Sequence, residues 1–343
     1  MSPGHGVFTI SLDFELYWGV RDKRTIEGYG ENLRGVRKAI PEMLRIFRAH
    51  DLHATWAVVG FLFFRNADEL RKAIPDLQPD YSRRTFSPYE YIAAATELDP
   101  AYHFAPDLIA LIAATEGQEI ATHTFSHYYC LEGGQTRDQF EEDIRCAQAV
   151  AKAHGLTIKS LVFPRNQWNE EYLSSLARLG LQCYRGNGVG RMHRASNAAS
   201  QSRFTRALRL IDAYVNLSGH NTYDLQECVQ QTPFNFPASR FLRPYSERVA
   251  FLDDLRLHRV KRSMTDAAVN RRLYHLWWHP HNFGANLQQN IQFLQAIADH
   301  YDELEVKYGF SSLNMGGLCE IATAGRRWQS TSTSLGYLFE RWK

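Results

Sequence analysis

Apolar residues along this chain fall into short unbroken runs, separated by longer stretches in which they recur every third or fourth position. The first run, residues 7–12 (VFTISL), is rich in β-branched and aromatic side chains and predicts a strand buried on both faces. Residues 33–50 carry Val36, Ile40, Leu44 and Phe47 at helical spacing, and residues 53–60 (HATWAVVG) read as a second buried strand. Pro106 and Gly117 bracket a helix, as a proline at the first helical position and a terminal glycine should, and a third strand then runs into His123. The rhythm continues with a helix at 136–154, a strand at 158–163, a helix capped by Asn169 and closed at Gly180, and a short strand at 181–185. After a break it resumes with a strand at 273–278, a helix at 286–308 and a last strand at 310–314. Alternating strands and helices predict an α/β fold, a parallel sheet with helical crossovers, within reach of a single (β/α) barrel.

That barrel is expected to span residues 1–324 as one domain, with 325–343 as a C-terminal tail. Two stretches interrupt the rhythm, 61–105 and 186–245, and both read as insertions. Inside the second, Phe204, Leu208, Ile211 and Val215 form a helical stripe among arginines. The length of 343 residues suits a single barrel with additions.

Charge narrows the partners more than composition does. Lys and Arg total 39 against 37 for Asp and Glu, so no bulk field recruits nucleic acid or an anionic membrane. The longest apolar stretch, 56–64, is too short to span a bilayer. Residues 1–6 hold no Lys or Arg and no leader-like apolar run follows, which gives the expectation of a cytoplasmic protein. Five cysteines without C-x-x-C spacing argue against a disulfide framework and against a cysteine zinc site.

Candidate chemistry collects at predicted strand ends, where α/β folds place their sites. The first strand ends in Asp13 and Glu15, two apart and so on one face. Acids there need a metal, an arginine or water as partner. His123 and His127 stand four apart, a spacing that on a helical turn would aim both imidazoles at one ion. Arg165 follows the fourth strand, and His279 and His281 follow the strand at 273–278.

These segments resemble the polysaccharide deacetylase (NodB-homology) family of carbohydrate esterases, and the resemblance implies a distorted (β/α) barrel of about seven parallel strands with two insertions. Residues 117–127 (GQEIATHTFSH) are similar to the family's metal-histidine motif almost residue for residue, and 53–60 to its second strand. The resemblance implies Asp13 as catalytic base and Glu15, His123 and His127 as metal ligands, although the family's paired acids are usually adjacent and here Phe14 separates them. Residues 163–167 (FPRNQ) are similar to a third motif and imply that Arg165 pairs with the catalytic acid, with proline and arginine in reversed order. Residues 277–280 (WWHP) are similar to the last motif and imply His279 as general acid, with His281 in reserve. The aspartate and tryptophan that orient this histidine in the family have no clean match.

The expected cofactor is a divalent metal, zinc by default for one carboxylate and two imidazoles with open positions. The expected activity is removal of an N-acetyl or other N-acyl group from a sugar, free or linked to a nucleotide or lipid, in cytoplasmic surface-polysaccharide assembly. Two other readings are a catalytically impaired carbohydrate-binding or assembly protein on the same fold and a hydrolase of a small non-sugar amide.

Overall fold

The computed structural model describes residues 4–188 and 203–324. Among these residues nine strands, all paired in parallel, make one sheet: β1 Val7–Phe14, β2 Ala54–Val58, β3 Gln118–Thr122, β4 Ser160–Val162, β5 Cys183–Arg185, β6 Phe234–Asn235, β7 Arg240–Phe241, β8 Leu273–Trp278 and β9 Ser311–Ser312. The order is β6-β5-β4-β3-β2-β1-β8-β7, with β9 added alongside β1. β6 and β7, five residues apart in the chain, therefore stand at opposite ends of the row, and the barrel is open between them.

Two of these strands correct the expectation for 186–245. β6 and β7 belong to the sheet, so that stretch is not wholly an insertion, and eight strands rather than about seven form the row. Each is only two residues long, too short for any periodicity to register. The stretch 61–105 carries short helices, Ala67–Lys72, Pro88–Ala94 and Pro100–His103. The tail at 325–343 lies outside the described residues, as does the side chain of Phe204.

Every residue of β1 is buried, yet its two faces differ. Phe8, Ile10, Leu12 and Phe14 pack into the main core beneath the helices. Val7, Thr9, Ser11 and Asp13 take the other face, as period-2 geometry requires, and the polar three are at most 2% exposed. The same inner face receives Ala57, Ala121, Val162 and Cys183, small side chains that leave room within the curled sheet. Met315 and Leu318 plug its far end.

The helix Ile26–Ala49 starts earlier than its stripe suggests because the Thr25 side chain caps it, accepting from Gly28 N. Val36, Ile40, Leu44 and Phe47 are all buried on its inner side. Its Gly35 lies backbone to backbone against the turn after β8: a Cβ there would stand 2.1 Å from Gly284 O. That contact fixes the segment carrying His279 and His281.

Candidate functional site

Asp13 and Glu15 leave β1 on its inner face, 2% and 4% exposed. Glu15 already lies beyond the strand and opens a tight turn over Leu16–Gly19 that folds back upon it. The turn needs a glycine at its end, since a Cβ on Gly19 would fall 1.9 Å from the Glu15 carboxyl carbon.

His123 and His127 follow β3, but not on a helical turn. The segment is irregular, with Thr124 and His127 in the left-handed region at φ 65° and 61°. Asp143, buried in the helix Arg137–Ala153, imposes this shape. Its carboxylate accepts from Phe125 N at 2.6 Å, from Ser126 N at 3.2 Å and from the Ser126 hydroxyl. Burial still pushes the Asp143 carboxyl up to about 7 against these bonds. Gly60 N and Phe61 N donate to Thr124 O and Phe125 O and hold the loop from the other side.

So shaped, the loop brings His127 Nε2 to 2.9 Å and His123 Nε2 to 3.4 Å from Glu15 Oε2. One ligand atom from each of the three residues lies within 4.8 Å of the others, and all three are buried. His123 Nδ1 donates to Val162 O at 2.8 Å, which leaves its Nε2 as a bare lone pair facing a carboxylate. That buried Nε2 has no hydrogen-bond partner. The bare His123 lone pair and the Glu15 carboxylate repel each other, and a divalent cation would remove that conflict; carboxylate and imidazole are the ligands it takes. The residues present fit such an ion. Burial pushes His127 down to about 4, outweighing the opposing pull of Glu15, so it is neutral as a ligand must be.

The arginine on Asp13 is not Arg165. Arg185, at the end of β5, reaches across the sheet and grips Asp13 with both terminal nitrogens, Nη1 to Oδ1 at 2.7 Å and Nη2 to Oδ2 at 2.8 Å. Its guanidinium also donates to Ser11 Oγ and to Asn166 Oδ1 and lies 4.2 Å over the Trp277 ring. Burial alone would raise the Asp13 carboxyl, but Arg185, His123 and His279 together hold it below its ordinary value. Arg165 turns away, because it and Asn166 both sit in the left-handed region after Pro164. It pairs instead with Asp22 at 2.5 Å and covers the Tyr129 ring at 4.0 Å.

His279 projects from the end of β8 with Nε2 at 3.6 Å from Glu15 Oε1 and 3.8 Å from Asp13 Oδ2. At 22% side-chain exposure it is the most open of the gathered groups. It is packed between the rings of Phe241, Trp277 and His281, and its buried Nδ1 has no partner. His281 lies behind it, stacked at 5.0 Å and buried, and burial pushes it down to about 3.

The structure thus gathers Asp13, Glu15, His123, His127 and His279, sets His281 behind them, and leaves Arg165 one layer away. Sequence reasoning missed Arg185, Asn166 as its neighbour, and Asp143. Arg185 carried a usable signal, a charged residue ending an apolar strand. Asp143 carried one too, an acid on the apolar stripe between Phe140 and Ile144.

Residues 29–184 match the model of the polysaccharide deacetylase family. Among solved structures the chain is similar to a candidate polysaccharide deacetylase from Mycobacterium smegmatis, with a TM-score of 0.58, 12% identity, and 94% of this chain and 93% of that one covered. It is also similar to a family 4 carbohydrate esterase pseudoenzyme from Bacillus anthracis (TM-score 0.41, 12% identity, 92% and 66% covered) and to the family 4 carbohydrate esterase of Streptomyces lividans (TM-score 0.40, 14% identity, 90% and 91% covered). No curated protein matches. That family match covers residues 29–184, somewhat less than half of the chain, and the likeness to the Mycobacterium smegmatis structure extends the shared fold over 94% of it.

Proposed function

We propose that the chain is a metal-dependent hydrolase that removes an N-acyl group from an amino sugar. The observation that carries this reading is the convergence of Glu15, His123 and His127 beside an Arg185-bound Asp13, with His279 as the one open group above them. Glu15, His123 and His127 would hold the metal, with zinc the default for this donor set. Once bound, the ion supplies a Lewis acid for the acyl oxygen and makes water a better nucleophile at neutral pH.

The protein's own groups do the rest. Asp13 accepts the proton of the attacking water; Arg185 keeps it ionised and aimed through two charge-assisted hydrogen bonds. His279 donates a proton from Nε2 to the departing nitrogen, which leaves as an amine rather than as an amide anion. Asn166 Oδ1 steadies Arg185 from the other side.

One observation favours a second reading, a sugar-binding protein with impaired catalysis: His279 Nδ1 has no hydrogen-bond partner among the described residues, so no acid orients the ring through that nitrogen. Acetate release from N-acetylated chitooligosaccharides, measured with metal content on the same sample, separates the two. Bound metal with turnover supports the hydrolase; bound metal without turnover on any N-acyl sugar supports the binding protein. No helix among the described residues is long and apolar enough to cross a membrane. A cytoplasmic place in surface-polysaccharide assembly is part of the proposal, and fractionation of cells making the full chain tests it.

A further inference from the structure

A second feature lies one layer beyond the histidines. From His127 the Tyr129 ring stands 5.2 Å away, edge to face, and Arg165 caps Tyr129 on its far side. Arg165 in turn binds Asp22, which lies in the wall of a cavity of about 450 Å³. Arg21, Arg83, Arg84, Glu90 and Tyr91 complete much of that wall. The cavity adjoins the site along the chain as well, since Arg21 is six residues beyond Glu15, directly after the turn that folds over it.

The charges in this wall do not cancel. Asp22 is committed to Arg165 at 2.5 Å and Glu90 to Arg84 at 2.7 Å. Arg21 and Arg83 form no ion pair among the described residues. Arg21 donates to the carbonyl oxygens of Thr85, at 3.1 Å, and Phe86, and its buried Nε has no partner. Arg83 donates Nε to Thr85 Oγ1 at 3.0 Å and rests 4.8 Å over the Phe86 ring, with neither terminal nitrogen engaged by another described residue. The 3-10 turn Arg84–Phe86 thus ties both guanidiniums to one wall. Two guanidinium groups held to one cavity repel each other unless an anion lies between them. A planar fork of N–H groups is the geometry that takes carboxylate or phosphate oxygens.

We propose that this cavity receives an anionic group, a carboxylate or a phosphate, carried by the substrate on a unit neighbouring the N-acyl sugar. The inference rests on the hydrolase reading only for what occupies the adjoining centre. It makes the preferred substrate an acidic saccharide rather than a neutral one.

Binding tests the cavity without relying on turnover. Glucuronate and glucose 1-phosphate, with glucose as neutral control, are titrated into the wild type, Arg83→Gln and Arg21→Gln at low salt by calorimetry. At least one anion is expected to bind and glucose is not, with affinity about tenfold lower in each variant, the loss of one charged hydrogen-bonding group. Arg21 also holds the 84–86 turn, so Arg83→Gln, whose side chain is exposed, is the deciding variant, with an unchanged melting temperature as its folding control. Glucuronate binding alone assigns a carboxylate, glucose 1-phosphate alone a phosphate. No binding by either anion, or equal binding by wild type and Arg83→Gln, overturns the proposal.

A kinetic arm separates its failure from that of the hydrolase reading. The wild type should favour a disaccharide of glucuronate and N-acetylglucosamine over N,N′-diacetylchitobiose by about tenfold in KM, and the ratio should fall toward one in Arg83→Gln. Turnover of both disaccharides without preference removes the cavity's role and leaves the hydrolase. Anion binding with no hydrolysis of either removes the hydrolase and leaves the cavity.

Discussion

The two sides of the site are held by different forces. On the β1 and β3 side each group is fixed by directed contacts: His123 by Val162 O, the His127 loop by Asp143, Asp13 by both arms of Arg185. On the β8 side His279 is held by rings at 5.0 to 5.8 Å, with no hydrogen bond to its Nδ1. A hydrogen bond sets direction; ring packing sets position and leaves rotation softer. The ligand side should therefore fail abruptly when broken, and the β8 side should loosen by degrees.

The largest effect is expected on the rigid side. His123→Ala or Glu15→Ala should remove bound metal and lower deacetylation on the order of 10³-fold or more, read by elemental analysis and acetate release. A metal-free variant that kept its rate would break the comparison. Arg185→Leu strands the Asp13 carboxylate in the barrel interior and should cost about 3–5 kcal/mol of stability in denaturant unfolding. Asp143→Ala frees the histidine loop; metal affinity should fall about 10–100-fold by competition with a chelator, the range for a group that orients ligands from behind.

Acid should weaken the whole fold more gently. Burial pushes both His275 and His281 down to about 3, aided by the charges of Arg185 and His279 respectively. A histidine depressed in the folded state contributes stability that is full above its unfolded value near 6.5 and is lost as pH falls toward 3, because only the unfolded chain takes up the proton. Between pH 7 and 5 each should cost about 2 kcal/mol, and a denaturation midpoint that stayed flat over that window would contradict their neutrality. The smallest effect belongs to the soft side. Phe241→Ala removes one wall of His279 and should lower kcat about tenfold with metal content unchanged, which separates proton donation from metal binding.

Much of the scaffold was legible before folding. The runs at 7–12, 53–60 and 273–278 became β1, β2 and β8, and the stripe Val36, Ile40, Leu44, Phe47 became the buried side of a helix. What misled was local geometry. Four-residue spacing suggested a helical turn for His123 and His127, whereas the bonds from Asp143 bend that segment through two left-handed residues. β6 and β7 were hidden because two residues cannot display a period.

The sequence by itself determined which side chains reach the rim. A parallel strand buried on both faces must be a continuous apolar run, and its period of two then fixes Asp13, Glu15, Arg185 and His279 on the inner face. Only the tertiary structure decided which of them meet. Arg185 lies 172 residues from Asp13, and the curl of the sheet carries β5 across the interior to reach it, while Arg165, nearer the expected motif, is turned aside by its own backbone. Local chemistry names the candidates, but charge pairing depends on distances between strands that only the closed sheet sets.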